Sequence, residues 1–199
     1  GAVIHEPHDY QTLVIDSVTA LERLFVAEVL EQDPKAKSIN QALGGYGAGV
    51  AAVAAMHARV RKGAGLANEK RGMHVVFVAH ADVETMRLPD ADDYMRYSLR
   101  LPPKSMPPYV DDVDVVGFLR LVTFTKGDDG ERKKAISTGD RELVCHAVAS
   151  NISKNRYGLT EALPFAAGEN PLFAVIPALG AKHAIAAKPR DGAAQKEGE

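Results

Sequence analysis

The sequence predicts an α/β fold with a mostly parallel central sheet and antiparallel strands at one edge. Two runs of mostly apolar, β-branched or aromatic residues, TLVI at 12–15 and MHVVFVAH at 73–80, are typical of strands buried on both faces, as in a parallel sheet. An amphipathic pattern follows the first run, from Val18 to Val29, and predicts a helix. Strands that alternate with helices favour parallel pairing.

Composition narrows the class of protein. The 199 residues are enough for one domain with a sizeable core, and the net charge of -2 shows that the chain as a whole is no polycation. The single cysteine, Cys145, allows no internal disulfide, which fits a reducing compartment. No apolar stretch approaches the ~20 residues that cross a bilayer, and the first residues lack the pattern of a signal peptide. We therefore expect a cytoplasmic protein without a membrane contact.

The first predicted strand runs directly into Asp16 and Ser17. Open α/β sheets bind ligands at the carboxyl ends of their strands. In P-loop NTPases an aspartate at this place holds Mg²⁺, directly or through water, and the metal bridges phosphate oxygens. The alternative is that Asp16 only caps the following helix. We expect that helix to end near Gln32, because Asp33-Pro34 follows it.

A glycine-rich stretch, GGYGAG at 44–49, precedes an alanine-rich segment. It lacks the G-x-G-x-x-G spacing of a dinucleotide fingerprint, and no Gly-Lys-Ser/Thr follows it. Composition alone favours a flexible loop that enters a helix. The helix is predicted over Val50–Arg61, with Lys62–Gly65 ending or interrupting it.

The second predicted strand, MHVVFVAH at 73–80, ends at His80. If the two strands are parallel neighbours, His80 lies on the same sheet edge as Asp16. A polar side chain there can sense a γ-phosphate or contact a nucleic acid. The alternative is a histidine that only hydrogen-bonds at a strand end.

The segment Ala81–Pro108 is predicted to be a long connection, either functional or disordered. Cations and aromatic residues are interleaved in it, which suits a single-stranded nucleic acid whose phosphates bind cations and whose bases stack. Five acidic residues in the same segment offset this charge, so the signal is weak alone. The cations are Arg87, Arg96, Arg100 and Lys104, and the tyrosines are Tyr94 and Tyr97.

The second half is predicted to be antiparallel. A strand is expected over Asp112–Thr125, a hairpin turn with Asp-Gly chemistry over 126–130, and further strands around 133–137 and 143–149. The motif KNRYG follows at 154–158. The tail from about residue 181 is rich in Ala, Lys and Gly and is expected to be mobile.

Four segments stand in a fixed order: TLVIDSVTAL, GGYGAGVAA, HVVFVAH and SKNRYGL. This order resembles the core of RecA-like P-loop ATPases from its Walker B strand onward, over roughly residues 10 to 165. It is most similar to the phage-encoded RecA-like ATPases of single-strand annealing and recombination. The resemblance implies a three-layer α/β/α core over residues 1–180, with a flexible tail over 181–199.

The resemblance also implies a site for ATP and Mg²⁺. Asp16 would coordinate the metal, possibly via water, with Ser17 supporting it, and His80 would occupy the sensor position. Lys154 and Arg156 would be fingers that reach the γ-phosphate on a neighbouring subunit, where cations neutralise the charge developing during phosphoryl transfer. These roles imply a homo-oligomer, either a ring or a filament.

Two segments, 44–49 and 81–103, would correspond to the DNA-facing loops of RecA-like assemblies. The implied partner is single-stranded DNA in phage-type recombination, annealing or repair. The residues implied in DNA binding are Gly45, Tyr46, Gly47, Arg87, Tyr94, Arg96, Tyr97 and Arg100.

One departure from the family pattern is clear, because no G-x-x-x-x-G-K-[ST] occurs in these residues. We expect either the carboxyl-terminal part of a longer ATPase or a degenerate relative, with this chain alone hydrolysing ATP poorly. Two other classes stay open: a non-catalytic module that oligomerises or binds single-stranded DNA, and a structural or assembly protein that shares an α/β sheet.

Overall fold

The computed structural model describes residues 2–126 and 134–179. These residues form two compact units, the first with residues 2–116 and 148–152 and the second with residues 117–126, 134–147 and 153–179. Among the described helices, none is both long and apolar enough to cross a membrane. The helices are Ala2–His5 (α1), Val18–Gln32 (α2), Ala48–Arg71 (α3), Pro107–Val110 (α4) and Leu172–Val175 (α5). The strands are Thr12–Asp16 (β1), His74–Val78 (β2), Ala81–Leu88 (β3), Ala91–Leu99 (β4), Val115–Val116 (β5), Phe118–Lys126 (β6), Lys134–Val144 (β7), Lys154–Asn155 (β8) and Leu163–Pro164 (β9).

The sheet of the first unit pairs β1 with β2 in parallel. The register sets Thr12 opposite His74 and Asp16 opposite Val78. Asp16 and His80 therefore lie at the same edge of this sheet, since His80 follows β2 by two residues. The predicted parallel pairing is confirmed.

The two faces of this sheet differ in burial. Ile15 and Phe77 are cross-strand neighbours that pack against the buried core cluster of Val18, Leu101 and Tyr109. On the opposite face, Val14 is 55% exposed and its cross-strand neighbour Val76 is 44% exposed. The prediction of strands buried on both faces is wrong, because side chains alternate between faces and only one face is packed on the core. The three-layer arrangement stays a prediction.

Helix α2 begins and ends as predicted. Ser17 is its N-cap and accepts a hydrogen bond from the Ala20 N–H at 3.1 Å. The buried face of α2 contributes Val29 to a core cluster with Ala42 and Val53, the latter from α3.

Helix α3 is longer than predicted. It continues without interruption through Gly63 and Gly65 and ends at Arg71. Ala64 lies between these two glycines and Ala67 follows them, and both alanines are buried. Their tertiary packing offsets the cost of about 1 kcal/mol that a glycine imposes on a helix interior. The predicted end at Lys62–Gly65 is therefore wrong.

The segment after His80 is a β-hairpin rather than a long irregular loop. Strands β3 and β4 pair antiparallel from Ala81 opposite Leu99 to Leu88 opposite Ala91, with a register shift between Met86 and Leu88. The predicted loop is wrong because alternating side chains in both arms satisfy the two-residue period of a strand. The concentration of charge and tyrosine reflects an exposed hairpin.

The second unit contains the antiparallel sheet that the sequence predicts. Strand β6 pairs with β7, and β7 pairs with β9. Two boundaries are wrong: the strand expected over Asp112–Thr125 is divided into β5 and β6, and the strands expected around 133–137 and 143–149 form one strand that ends at Val144. The turn predicted at 126–130 lies outside the described residues except for residue 126, and the predicted tail lies wholly outside them.

Candidate functional site

The carboxylate of Asp16 is exposed at the carboxyl end of β1. Ser17 is buried, and its hydroxyl accepts from the first turn of α2. The capping function therefore falls to Ser17, and the alternative that Asp16 caps the helix is wrong. Asp16 is left free to meet a ligand at the sheet edge.

The backbone of His80 joins this edge to the hairpin. Its N–H donates to the Thr19 hydroxyl at 3.0 Å, and its carbonyl accepts from the Arg100 N–H at 2.8 Å. Thr19 lies in the first turn of α2, three residues after Asp16, and Arg100 directly follows β4. Both hydrogen bonds use the backbone, so the exposed imidazole of His80 does not take part in either.

The donor set at this edge limits which metal it can bind. Among the described residues, no cluster of three or more His, Cys, Asp or Glu side chains has the arrangement of a metal site. Magnesium is commonly held by one or two carboxylates together with water and substrate phosphates. A single exposed carboxylate, Asp16, therefore fits Mg²⁺ brought in with a nucleotide.

The glycine-rich loop has an unusual backbone. Five consecutive residues have positive φ, from Leu43 at 56° through Tyr46 at 50° to Gly47 at 82°. Leucine and tyrosine rarely adopt such values, and strained backbone of this kind clusters at binding and catalytic sites. The Asp33 carboxylate accepts from the Leu43 N–H at 2.9 Å and fixes the start of the loop. Gly47 is the N-cap of α3.

The side chain of Tyr46 is fully exposed at the tip of this loop. A lysine lies beside it, since the Nζ of Lys104 is 3.8 Å from the place that a Cβ on Gly47 would occupy. The first N–H groups of α3 are also unpaired within the helix and carry its positive dipole end. The sequence showed Lys104 only as one cation of a long segment and gave no sign that it neighbours the glycine loop.

The hairpin arginines are paired with carboxylates of the opposite strand. The distances are 3.5 Å for Arg87 to Asp93, 2.6 Å for Arg96 to Glu84 and 3.6 Å for Arg100 to Asp82. Tyr94 and Arg96 alternate with Tyr97 along β4, so they lie on the opposite face of the hairpin. The predicted DNA-binding residues of this segment therefore do not form one cationic surface.

The KNRYG motif in the second unit is a turn organised by Asn155. Its side-chain amide donates to the carbonyls of Cys145 and Leu159 at 2.8 and 2.9 Å, and its carbonyl oxygen accepts from the Tyr157 and Leu159 N–H groups at 3.0 and 2.9 Å. Gly158 has φ of 71°, which explains the glycine. The turn exposes Arg156, while Lys154 is half-buried. Asn155 belongs to the KNRYG motif, but its role in holding the turn together was not predicted from the sequence.

A buried polar network lies in the first unit and was not predicted. His57 is 0% exposed, with its Nε2 2.8 Å from Glu22 Oε2 and its Nδ1 2.7 Å from the Tyr109 hydroxyl. Burial, with a smaller contribution from the Glu22 charge, raises the pKa of Tyr109 to about 12. Glu22 accepts a hydrogen bond from the imidazole, and the other ring nitrogen shares a hydrogen bond with the Tyr109 hydroxyl, so all three groups have a partner.

The parallel strands with a carboxylate at their shared edge, followed by a helix capped by Ser17, are consistent with a domain of the P-loop NTPase kind. The family model of the AAA domain matches residues 3–157, so the chain belongs to the AAA domain family. No curated protein and no solved structure gives a match. Membership in this family indicates nucleotide binding and ATPase-like character, usually with Mg²⁺.

Proposed function

We propose that this chain is a RecA-like ATP-binding protein that acts on single-stranded DNA in phage-type recombination, annealing or repair. One observation carries the proposal: the His80 backbone is hydrogen-bonded both to Thr19 of α2 and to Arg100 at the base of the hairpin. Helix α2 starts at the sheet edge where Asp16 would meet the nucleotide. A ligand that moves the start of α2 thereby acts on the segment that follows His80. Family membership supports the nucleotide part of the proposal.

Asp16 would hold Mg²⁺ at the sheet edge, directly or through water. The metal would neutralise phosphate charge on the bound ATP. Ser17 would support this arrangement by fixing the first turn of α2 behind the carboxylate. His80 presents an exposed imidazole at the same edge, where it would contact the γ-phosphate.

The DNA surface would be the loop of Gly45, Tyr46 and Gly47 together with Lys104. An exposed tyrosine offers a stacking face to any base, and Lys104, whose Nζ lies near Gly47, would bind phosphate. The paired arginines of the hairpin are less available for phosphate, because contact with DNA would compete with Asp82, Glu84 and Asp93. Their role in DNA binding remains the prediction from the resemblance.

ATP would be hydrolysed at interfaces between copies of this chain. Lys154 and Arg156 would reach the nucleotide of a neighbouring subunit, and the Asn155 turn supplies the fixed geometry that such fingers need. This role requires a homo-oligomer, and a ring or a filament would both satisfy it.

The test is binding of a fluorescein-labelled dT oligonucleotide, measured by anisotropy with and without a non-hydrolysable ATP analogue and Mg²⁺. The nucleotide should change the affinity for DNA. Asp16→Asn should remove this effect and leave nucleotide-free DNA binding intact, because Asp16 is exposed and supports no contact in the core. Asp9→Asn, another exposed aspartate, serves as the matched control. An equal nucleotide effect in Asp16→Asn would show that the site lies elsewhere.

A second candidate is a non-catalytic module that binds single-stranded DNA. The exposed side chain of Tyr46 and the Lys104 amine near Gly47 favour it, since stacking and a phosphate contact need no bound nucleotide. In this case the oligonucleotide would bind with the same affinity in the presence and absence of nucleotide.

A further inference from the structure

A cavity of about 630 Å³ lies in the first unit, beside His80 and the base of the hairpin. This volume is in the range of small-molecule sites. One part of its wall is apolar and comes from the segment that follows β4, with Leu101, Pro102, Pro103 and Met106. Flat or aliphatic groups of a ligand would pack there.

The polar anchor of the cavity is the carboxylate of Glu22. Its side chain is only 14% exposed, and its Oε2 is held 2.8 Å from Nε2 of His57. His57 is in turn fixed by Tyr109. Glu22 is one of the residues that line the cavity, and His57 engages only its Oε2, so Oε1 and the remaining lone pairs are available to a ligand.

The rim of the cavity carries a cation that is free to bind an anion. Arg23 is exposed and lines the cavity, and within the described residues it has no carboxylate partner. The other arginine of the lining, Arg100, is engaged with Asp82 at 3.6 Å. A ligand that fits would thus have a flat body, adjacent N–H donors for Glu22 and a phosphate for Arg23.

We propose that this cavity binds a guanine base, either of a free nucleotide or of an unstacked residue in a single strand. Guanine alone among the common bases presents two adjacent N–H donors, N1–H and the N2 amino group, which match the two oxygens of a carboxylate. The other bases place an acceptor beside their donor, and that acceptor would face the Glu22 charge. The single-strand form of the proposal rests on the proposed function, whereas the free-nucleotide form does not.

The test is calorimetric titration of the full chain with GMP, AMP, CMP and UMP, and with guanosine, in the absence of Mg²⁺ so that the Asp16 edge contributes little. GMP should bind roughly 10- to 100-fold more tightly than the other nucleotides, as expected for one bidentate contact. Glu22→Gln should remove this preference, because an amide offers a donor where guanine needs an acceptor. Glu31→Gln, an exposed position on the same helix, should leave it unchanged.

A second variant keeps the test independent of the buried network. Arg23→Ala alters only an exposed side chain, and it should weaken GMP binding while leaving guanosine binding unchanged. Equal affinity for all four nucleotides in the wild type would overturn the proposal, as would a guanine preference that survives in a folded Glu22→Gln protein.

Binding of oligonucleotides shows whether the guanine belongs to a single strand or to a free nucleotide. A dT strand with one central dG that binds more tightly than dT alone, with the gain lost in Glu22→Gln, assigns the cavity to the single strand. Discrimination among free nucleotides without this gain assigns it to a nucleotide ligand. Failure of the proposed function would be distinct, since it would appear as loss of dT binding or of its response to ATP and Mg²⁺.

Discussion

At the scale of single residues, the network of Glu22, His57 and Tyr109 determines how the first unit responds to pH. Tyr109 is buried in the core cluster with Val18 and Leu101, and its hydroxyl lies against His57. Ionising the phenol would place a negative charge in this core and close to Glu22, which is why the pKa of Tyr109 rises to about 12.

The raised pKa predicts a loss of stability in alkali. The unfolded chain releases the tyrosine proton near its ordinary pKa of 10.0, and the folded chain holds it to about 12. Between these values the folded state binds more protons, so the free energy of unfolding should fall as pH rises, by roughly 1–3 kcal/mol in total. Denaturant titrations at pH 9 and pH 11.5 measure this change.

Tyr109→Phe should be less stable than the wild type at neutral pH, because His57 loses its partner. Its loss of stability between pH 9 and 11.5 should be smaller than in the wild type. Tyr10→Phe, at a mostly exposed tyrosine, should retain the full loss. The same alkaline loss in both variants would show that Tyr109 does not control it.

At this scale the sequence predicted that Asp16 and His80 share one edge of the sheet, because each ends a mostly apolar run and parallel pairing brings strand ends together. Their roles toward a ligand stay predictions. The contact between Glu22 and His57 was not predicted, since it joins positions 35 residues apart on two helices. The apolar pattern of neither helix distinguishes these two residues. A buried contact between distant polar side chains has no local signal.

At the scale of elements, the close approach of the glycine loop to helix α3 depends on Gly49. A Cβ at this position would lie 2.3 Å from the Ile39 carbonyl oxygen and 3.0 Å from the Ala42 Cβ. Ile39 and the buried residue Ala42 both precede the glycine loop in the chain. Because Gly49 has no side chain, this segment can pack directly against the start of α3.

Gly49→Ala should destabilise the first unit by about 1–3 kcal/mol, the usual cost of overpacking a core. Gly63→Ala is the matched control, since it lies in the interior of the same helix with nothing within 4 Å of the new Cβ. That substitution should instead stabilise by roughly 0.5–1 kcal/mol. Chemical denaturation followed by circular dichroism gives both values, and a neutral effect of Gly49→Ala would contradict the close packing.

Elements were predicted best where periodicity was unbroken. The helix that ends at Gln32 followed directly from it, and the strand predicted over 73–80 lies at His74–Val78. The hairpin after His80 was missed because its frequent charged residues, prolines and tyrosines obscured the alternation of its side chains. The end of α3 was missed because burial of Ala64 and Ala67 stabilises the helix by more than its glycines destabilise it. Tertiary packing decides such cases, and no local pattern contains it.

At the scale of the whole molecule, net charge constrains any binding of DNA. The chain carries a formal charge of -2, so its overall field does not attract a polyanion. Binding of single-stranded DNA must then depend on a few local contacts. The described surface offers two arrangements: Tyr46 with Lys104, where the lysine is beside the loop, and the hairpin, where each arginine is already paired.

The dependence of DNA affinity on salt separates these arrangements. Lys104→Ala should reduce the slope of log K against log salt by about 0.7, the value for one phosphate contact to a single strand. Tyr46→Ala should lower affinity by about tenfold at constant slope, because it removes stacking rather than charge. Arg87→Ala should change the slope little, since Asp93 lies 3.5 Å from this guanidinium. If Arg87→Ala instead flattens the slope and Lys104→Ala does not, the hairpin is the DNA contact that the sequence predicts and the glycine loop is not.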